Sequence, residues 1–374
     1  MNNQTQIPAD EVKVRFLDLA IHDPAYRAEI HEAIERVLLH GRFIMGPEHD
    51  AFETAIAKFC GTPHAVGVGS GSDALYLSLR ALELEPGDEV ITTPLTWVAT
   101  TNAIVLAGGT PVYADVADDY NMDADTIEAR ITPKTRAILL VHFTGQMCDM
   151  DKIMSIAEKH GIDVIEDSAQ AFGAVFNGRP AGSFGTMGCF SMNPMKIMNA
   201  FGEAGAITVH DEALRDRLQS LRYAGTVNKE NCVTPSINGR LDTIHAAMLL
   251  VNLKRLPAKI GKRRAFASIY NAELAGIVGT PPLHNDRDHI YYSYTINCDG
   301  RGDLMAHLRA DGIETKIQHP ILMPDHDAYK GRFDADIPNA RKLIERIVCI
   351  PCHENMTEDE AAYVIGSIKA FYGR

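Results

Sequence analysis

Lys196 is the only cation in the run CFSMNPMKIMNAFGEAG. A lysine amine with a pKa of about 10 in water is a weak nucleophile, whereas a desolvated one suits Schiff-base chemistry. Taken alone, the same residue also fits a lysine snorkelling from a loop beside the core. Asp167 ends a second apolar run, IDVIEDSAQ. A carboxylate against a pyridine-type nitrogen keeps that nitrogen protonated and makes the ring an electron sink. Gln170 can bond a ring hydroxyl, and Asp167 can equally serve as a helix cap. In GSGSDALYLSLRAL, Ser70, Gly71 and Ser72 lead into a helix whose first amides and positive dipole end attract a dianion, though such turns are often simple caps. Ser191 can add a hydroxyl. Trp97, the sole tryptophan, can lie flat on a planar ring or pack in a core. Amine, carboxylate, phosphate cradle and flat aromatic together match the parts of pyridoxal 5'-phosphate (PLP).

These residues need a scaffold that brings distant loops to one place. From Ala65 the chain alternates short apolar runs with amphipathic stretches: AVGVGS, SDALYLSLRAL, DEVITT, WVATTNAIVLAG, TPVYADV, MDADTIEARI, RAILLVHFTG, MDKIMSIAEKHG and IDVIEDS. That order predicts an α/β fold with a mostly parallel central sheet covered on both faces. Ligands of such sheets bind beyond the carboxyl ends of the strands. The runs end at Ser70-Gly71-Ser72, Thr92-Thr93-Pro94, His142 and Glu166-Asp167-Ser168, all polar. MGCFSMN and AGAITV are two further strand candidates bracketing Lys196. Ahead of the sheet, apolar residues at helical spacing over 24–59, broken at Gly41 and Gly46-Pro47, predict two helices. A long helical stretch from Leu241 is expected to break at Pro257. We therefore expect a large domain over 1–256, including an N-terminal arm, and a smaller α+β domain over 257–374. In the latter, IYYSYTINC, TKIQHP and RIVCIPC read as strands and MTEDEAAYVIGSIKAFY as a closing helix.

Composition narrows the function. The 374 residues carry a formal charge of -13 and are 46% hydrophobic, enough for a substantial core. That balance disfavours nucleic acid and anionic membrane surfaces as partners. MNNQTQIPADEVK lacks the order of a secretory signal, no apolar run reaches transmembrane length, and seven scattered cysteines read as reduced thiols, so a cytoplasmic protein is expected. Cys349-Ile350-Pro351-Cys352-His353 spells a haem-attachment pattern, but it lies in an apparent strand without an export signal. No ligand pair stands at zinc-site spacing, and no metal is expected. HNDRDH and PDHD read as solvated loops.

The sequence resembles the DegT/DnrJ/EryC1/StrS family of PLP-dependent sugar aminotransferases. The resemblance runs from an FLDL-like opening through GSGSDALYLSLRAL, PGDEVITTPLTWVAT, VHFTGQ, VIEDSAQAFGA, GSFGTMGCFSMNPMK and GEAG to INGRLDTIHAAMLLVNLKRL. It implies the aspartate-aminotransferase type of fold (PLP fold type I). By that resemblance Lys196 takes the Schiff-base position, Asp167 the ring-nitrogen position, Gln170 the ring-hydroxyl position and Trp97 the stacking position. Gly71, Ser72 and Ser191 fall on phosphate positions. Asn238 matches an asparagine reaching the same phosphate from a partner subunit, which implies a homodimer with shared active sites. Arg240 matches an arginine associated with substrate or donor binding. The sequence departs from the family around the lysine, where Met192 and Ile197 replace an aromatic and an asparagine. It departs again where Gln318-His319-Pro320 stands for a common His-Tyr-Pro, which makes His319 a candidate substrate contact.

The expected reaction has two halves. An amino acid, L-glutamate first, gives its amino group to the cofactor, and a keto sugar then takes it, with Lys196 moving the proton in each half. The opening and the GEAG segment look closest to members that aminate carbon 3 of nucleotide-linked sugars. Two rivals remain: a PLP-dependent sugar dehydratase or eliminase, and a noncatalytic PLP-binding regulatory protein.

Overall fold

The computed structural model describes residues 7–8, 10–333 and 335–374. The first two helices are α1 (Pro24–His40) and α2 (Pro47–Cys60). Proline begins each, and a left-handed glycine, Gly41 or Gly61, ends each. The sheet and its covering helices follow as β1 (His64–Val68), α3 (Gly71–Ala81), β2 (Glu89–Thr92), α4 (Val98–Leu106), β3 (Thr110–Tyr113), α5 (Ala124–Ile127), β4 (Thr135–Val141), α6 (Met150–His160) and β5 (Asp163–Asp167). A small hairpin, β6 (Val175–Phe176) and β7 (Arg179–Pro180), precedes β8 (Met187–Ser191), β9 (Gly205–Val209) and α7 (Glu212–Arg222). A second hairpin, β10 (Thr226–Val227) and β11 (Asn231–Cys232), leads to the long α8 (Thr243–Glu273). The chain closes with β12 (Tyr294–Asn297), α9 (Arg301–Ala310), α10 (Pro338–Ile344), β13 (Ile347–Ile350) and α11 (Glu358–Phe371), the last begun by a Thr357–Glu360 capping box.

Seven strands form the central sheet in the order β1-β9-β8-β5-β4-β2-β3. All run parallel except β9, which is antiparallel to both neighbours, as the mostly parallel expectation required. Alternating side chains feed two cores. Ile138 and Leu140 of β4 join Phe52 and Ile56 of α2 and Leu249 of α8 on one face. Ala137 and Leu139 join Leu75, Leu77 and Leu79 of α3 and Leu218 of α7 on the other. Both faces are covered, so the polar residues ending the strands are left at one rim.

Three local expectations are corrected. Helix α8 does not break at Pro257 but runs 31 residues through it. Pro257 is exposed, while Leu256 and Ile260 on the buried face pack with the sheet core and Phe266, Ala267, Tyr270 and Leu274 pack in a second core with β12, β13 and α11. Burial at both ends of one helix outweighs the single lost bond and the proline clash. The expected 256/257 division thus falls inside a helix, and Val14 from the N-terminal segment joins the second core by pairing with Ile313. MDADTIEARI gives only the four-residue α5 and a 3-10 turn. TKIQHP makes one isolated bridge, Lys316 to Cys349, and no strand; His319 has a positive φ of 55° and Pro320 offers no donor. Cys349 and Cys352 of the haem-like pattern are buried, and Cys349 Sγ lies 3.2 Å from Thr295 Oγ1.

One polar cluster fixes the sheet edge that leads to α3. Arg222, 2% exposed, donates from Nη1 to Glu53 of α2 and, at 2.7 Å, to the Gly67 carbonyl of β1, while Glu53 accepts from Gly67 N at 2.8 Å. Cutting Arg222 to alanine strands the largely covered Glu53 charge. The Arg222→Ala protein should lose about 3 kcal/mol in urea unfolding, with its m-value unchanged.

Candidate active site

Strand ends of the sheet deliver the candidate residues to one rim. At the end of β5, Asp167 is buried with only 5% of its surface exposed. Its Oδ2 accepts from Thr100 Oγ1 at 3.0 Å and its Oδ1 from Ala169 N at 3.2 Å. Burial pushes its carboxyl above the ordinary range, against the pull of those two bonds and of the Lys196 and His142 charges. Asp167 therefore caps no helix. Its residual demand is for a positive partner in a dry place.

Lys196 lies in the loop between β8 and β9, which is built tightly. Met192 N bonds Ala204 O at 2.8 Å, Lys196 N bonds Asn193 O at 2.8 Å and Ala200 N bonds Met192 O at 2.7 Å. Met192 and Ile197, the two departures from the family pattern, are buried in the sheet core and anchor that loop. From α8, Lys259 Nζ donates to Asn199 Oδ1 at 2.8 Å, and burial holds its amine below the usual lysine range. The Lys196 amine sits 3.5 Å from the Tyr292 hydroxyl and 4.6 Å from the centre of its ring.

The phosphate candidates also meet. Ser70 caps α3 by accepting from Asp73 N at 3.0 Å, and helix geometry leaves the Gly71 and Ser72 amides without intrahelical partners. A Cβ on Gly71 would stand 2.5 Å from Ser191 Cβ, so only glycine lets the helix start close on the end of β8. Trp97 precedes the first turn of α4, and its carbonyl accepts at 3.1 Å from the N–H of Thr100, the residue whose hydroxyl bonds Asp167. It is 59% exposed, which discards the core-packing reading. His319 stands beside it, with ring centres 5.6 Å apart. Gln170 is buried, and its Oε1 accepts from Thr144 N at 2.9 Å, which leaves its NH2 group as the end available to a ligand.

Asn238 and Arg240 lie elsewhere, along the β1 edge. Arg240 pairs its backbone with Val68 and holds its guanidinium 4.3 Å from the centre of the Tyr223 ring. Asn238 is exposed and pairs by backbone with Tyr223. Neither reaches the Lys196–Asp167 group through a side-chain hydrogen bond among the described residues.

The sequence reading missed Thr100, Tyr292, Lys316 and Lys259. Thr100 belongs to the threonine-rich run TTPLTWVATT, which gave a weak signal; the others gave none, since tertiary packing alone brings them here. The set fits PLP on its own chemistry. It offers a buried carboxylate for a ring nitrogen, a glycine-only cradle at a helix start for the phosphate, an exposed indole for the ring face and one amine for the carbonyl carbon.

The sequence profile of the DegT/DnrJ/EryC1/StrS aminotransferase family matches residues 24–369. The dTDP-3-amino-3,4,6-trideoxy-alpha-D-glucose transaminase of Streptomyces venezuelae is 37% identical over 371 residues, covering 98% of each chain. The UDP-N-acetyl-3-dehydro-alpha-D-glucosamine 3-aminotransferase of Acidithiobacillus ferrooxidans is 37% identical over 99% of each chain. Among solved structures, S. venezuelae DesV in complex with a ketimine intermediate superposes with a TM-score of 0.93 at 38% identity, covering 96% of this chain and 99% of that one. Other solved neighbours hold PMP or are PLP-forms.

Burial sets how the rim responds to acid. His319 and His289 are both held down to about 3, first by burial and then by nearby cations. Unfolded, each titrates at about 6.5. Between those values the unfolded chain binds more protons, so stability is full above about pH 6.5 and falls as the pH drops toward the folded values. Urea midpoints measured from pH 7.5 to 5 should decline, and His289→Gln should flatten that decline.

Proposed function

The chain belongs to the DegT/DnrJ/EryC1/StrS aminotransferase family, and from that premise we propose that it transfers an amino group from L-glutamate to carbon 3 of a nucleotide-linked keto sugar. It is a PLP-dependent enzyme. The acceptor class follows from the two relatives named above, which aminate carbon 3 of dTDP-linked and UDP-linked sugars. The observation that carries the assignment of roles is Asp167, a carboxylate buried at the end of β5 within the field of Lys196.

PLP, when bound, supplies a protonated ring that stores the electron pair released at the substrate carbon. Asp167 would hold the ring nitrogen, Gln170 the ring hydroxyl and Trp97 the ring face. The amides of Gly71 and Ser72 and the hydroxyl of Ser191 would hold the phosphate. Lys196 would anchor the carbonyl carbon and, once displaced by the donor, act as base and then acid at the substrate carbon. Thr100 keeps Asp167 aimed, and the Lys259–Asn199 bond keeps the Lys196 loop in place. His319, neutral and beside Trp97, would face the acceptor, and Arg240 the anionic part of donor or acceptor.

We further read the active unit as a homodimer with shared sites, Asn238 of each copy completing the other's phosphate cradle. An exposed Asn238 supports this reading, as do the exposed apolar side chains Met195, Phe201, Val227 and Ile237 on the neighbouring segments. Seven unpaired cysteines, six of them buried, suit a reducing cytoplasm. Among the described residues no helix is long and apolar enough to cross a membrane.

The visible spectrum tests the roles. PLP-loaded protein should show the band of lysine-bound cofactor, and L-glutamate should convert it to the pyridoxamine form. Lys196→Ala should slow that conversion by at least about 100-fold. Acceptor consumption without glutamate would instead mark an eliminase. Asn238→Ala should weaken PLP binding by about tenfold, the size of one lost bond to a charged group; unchanged affinity would remove the shared-site reading.

A further inference from the structure

A free lysine can act as a base only after its ammonium proton has gone somewhere, and the rim holds few groups able to take it. His319 is held down to about 3 and is far too weak a base. Asp167 already accepts from Thr100 and Ala169 and is the group assigned to the ring nitrogen. Tyr292 is different. Its hydroxyl lies 3.5 Å from Lys196 Nζ, and its ring lies under the same amine at 4.6 Å.

The position of Tyr292 is fixed from two sides. Arg263 of α8, itself buried and paired with Glu354, donates from Nη1 to the Tyr291 and Tyr292 carbonyls at 3.1 and 3.2 Å. From the other side Ser293 N bonds Thr144 O at 3.3 Å, and Gly145 comes so close that a Cβ there would stand 2.8 Å from Tyr292 N. The charged and titratable groups facing this corner are Lys196 from the β8–β9 loop, Lys316 from the segment after α9, Arg263 with Glu354, and Cys352, while the neutral imidazole of His319 lies in the field of the same two lysines. The Lys316 side chain, held by backbone bonds to Cys349, makes no ion pair or side-chain hydrogen bond among the described residues and lines a small cavity with Tyr292, Gln318 and Arg263.

We propose that Tyr292 is a further catalytic residue, the proton partner of Lys196. Its phenolate takes one proton from the Lys196 ammonium and returns it when the lysine re-forms its bond. In the forward step one N–H bond of Lys196 breaks, one O–H bond of Tyr292 forms, and the charges of both groups are neutralised together. Burial alone would push the phenol up, but the Lys196 and Lys316 charges, with bonds from Lys196 and Gln318, bring it below its ordinary value. The inference rests on Lys196 being the shuttle.

The test uses full-length protein and two readouts. Ultraviolet titration of cofactor-free wild type against Tyr292→Phe should reveal one phenol ionising below about 10. Lys316→Gln should move that phenol upward by about one unit. In the PLP-loaded protein, the glutamate half-reaction of Tyr292→Phe should fall about 100-fold at neutral pH and lose the acid limb of its pH profile. In Lys316→Gln that limb should move upward with the phenol. The proposal is overturned if the difference titration shows no such phenol, or if Tyr292→Phe keeps the wild-type rate and profile. A Lys196→Ala protein that still converts glutamate would defeat the underlying reading instead, whatever the phenol does.

Discussion

Holding a carboxylate out of water at the end of a central strand is the constraint on which the rest of this structure depends. Asp167 has two hydrogen-bond donors and no direct ion-pair partner among the described residues. In so dry a place an unmatched charge is costly, and the site relieves it by gathering positive potential at a distance. Lys196 supplies part of that potential from the neighbouring β8–β9 loop. A ligand with a protonated ring nitrogen would supply the rest, so the protein carries an electrostatic demand that such a cofactor would satisfy.

The sheet explains why these groups converge. Parallel strands β5 and β8 end side by side, so Asp167 and Ser191 stand on one rim. The antiparallel β9 turns the chain straight back after β8, and Lys196 rides on that return instead of on a long crossover helix. The start of α3 reaches the same place because Gly71 lets its backbone touch Ser191. The Arg222–Glu53 cluster then fixes the edge strand that carries this helix start.

Much of this was legible in the sequence because the relevant residues sit in short local signals. Asp167, Ser70 to Ser72 and Ser191 each close an apolar run, with Gln170 just after Asp167, and in a parallel sheet such positions share a rim whatever their separation in the chain. Lys196 stood out by its isolation in an apolar loop. What stayed hidden depends on contacts between distant segments. Tyr292 meets Lys196 across 96 residues and Thr100 meets Asp167 across 67, and neither pair has a spacing that local periodicity can register. Pro257 misled for the related reason that packing at both ends of α8 overrides a local breaker. Trp97 was ambiguous between core and ligand until its exposure was known.

Lys196, among several nearby lysines, is the one assigned to carry the cofactor. Borohydride reduction of PLP-loaded protein fixes the link covalently, and peptide mass spectrometry then locates it. One phosphopyridoxyl group per chain is expected, on the peptide containing Lys196. Finding the group on Lys259 or Lys316, or finding none, would contradict that assignment.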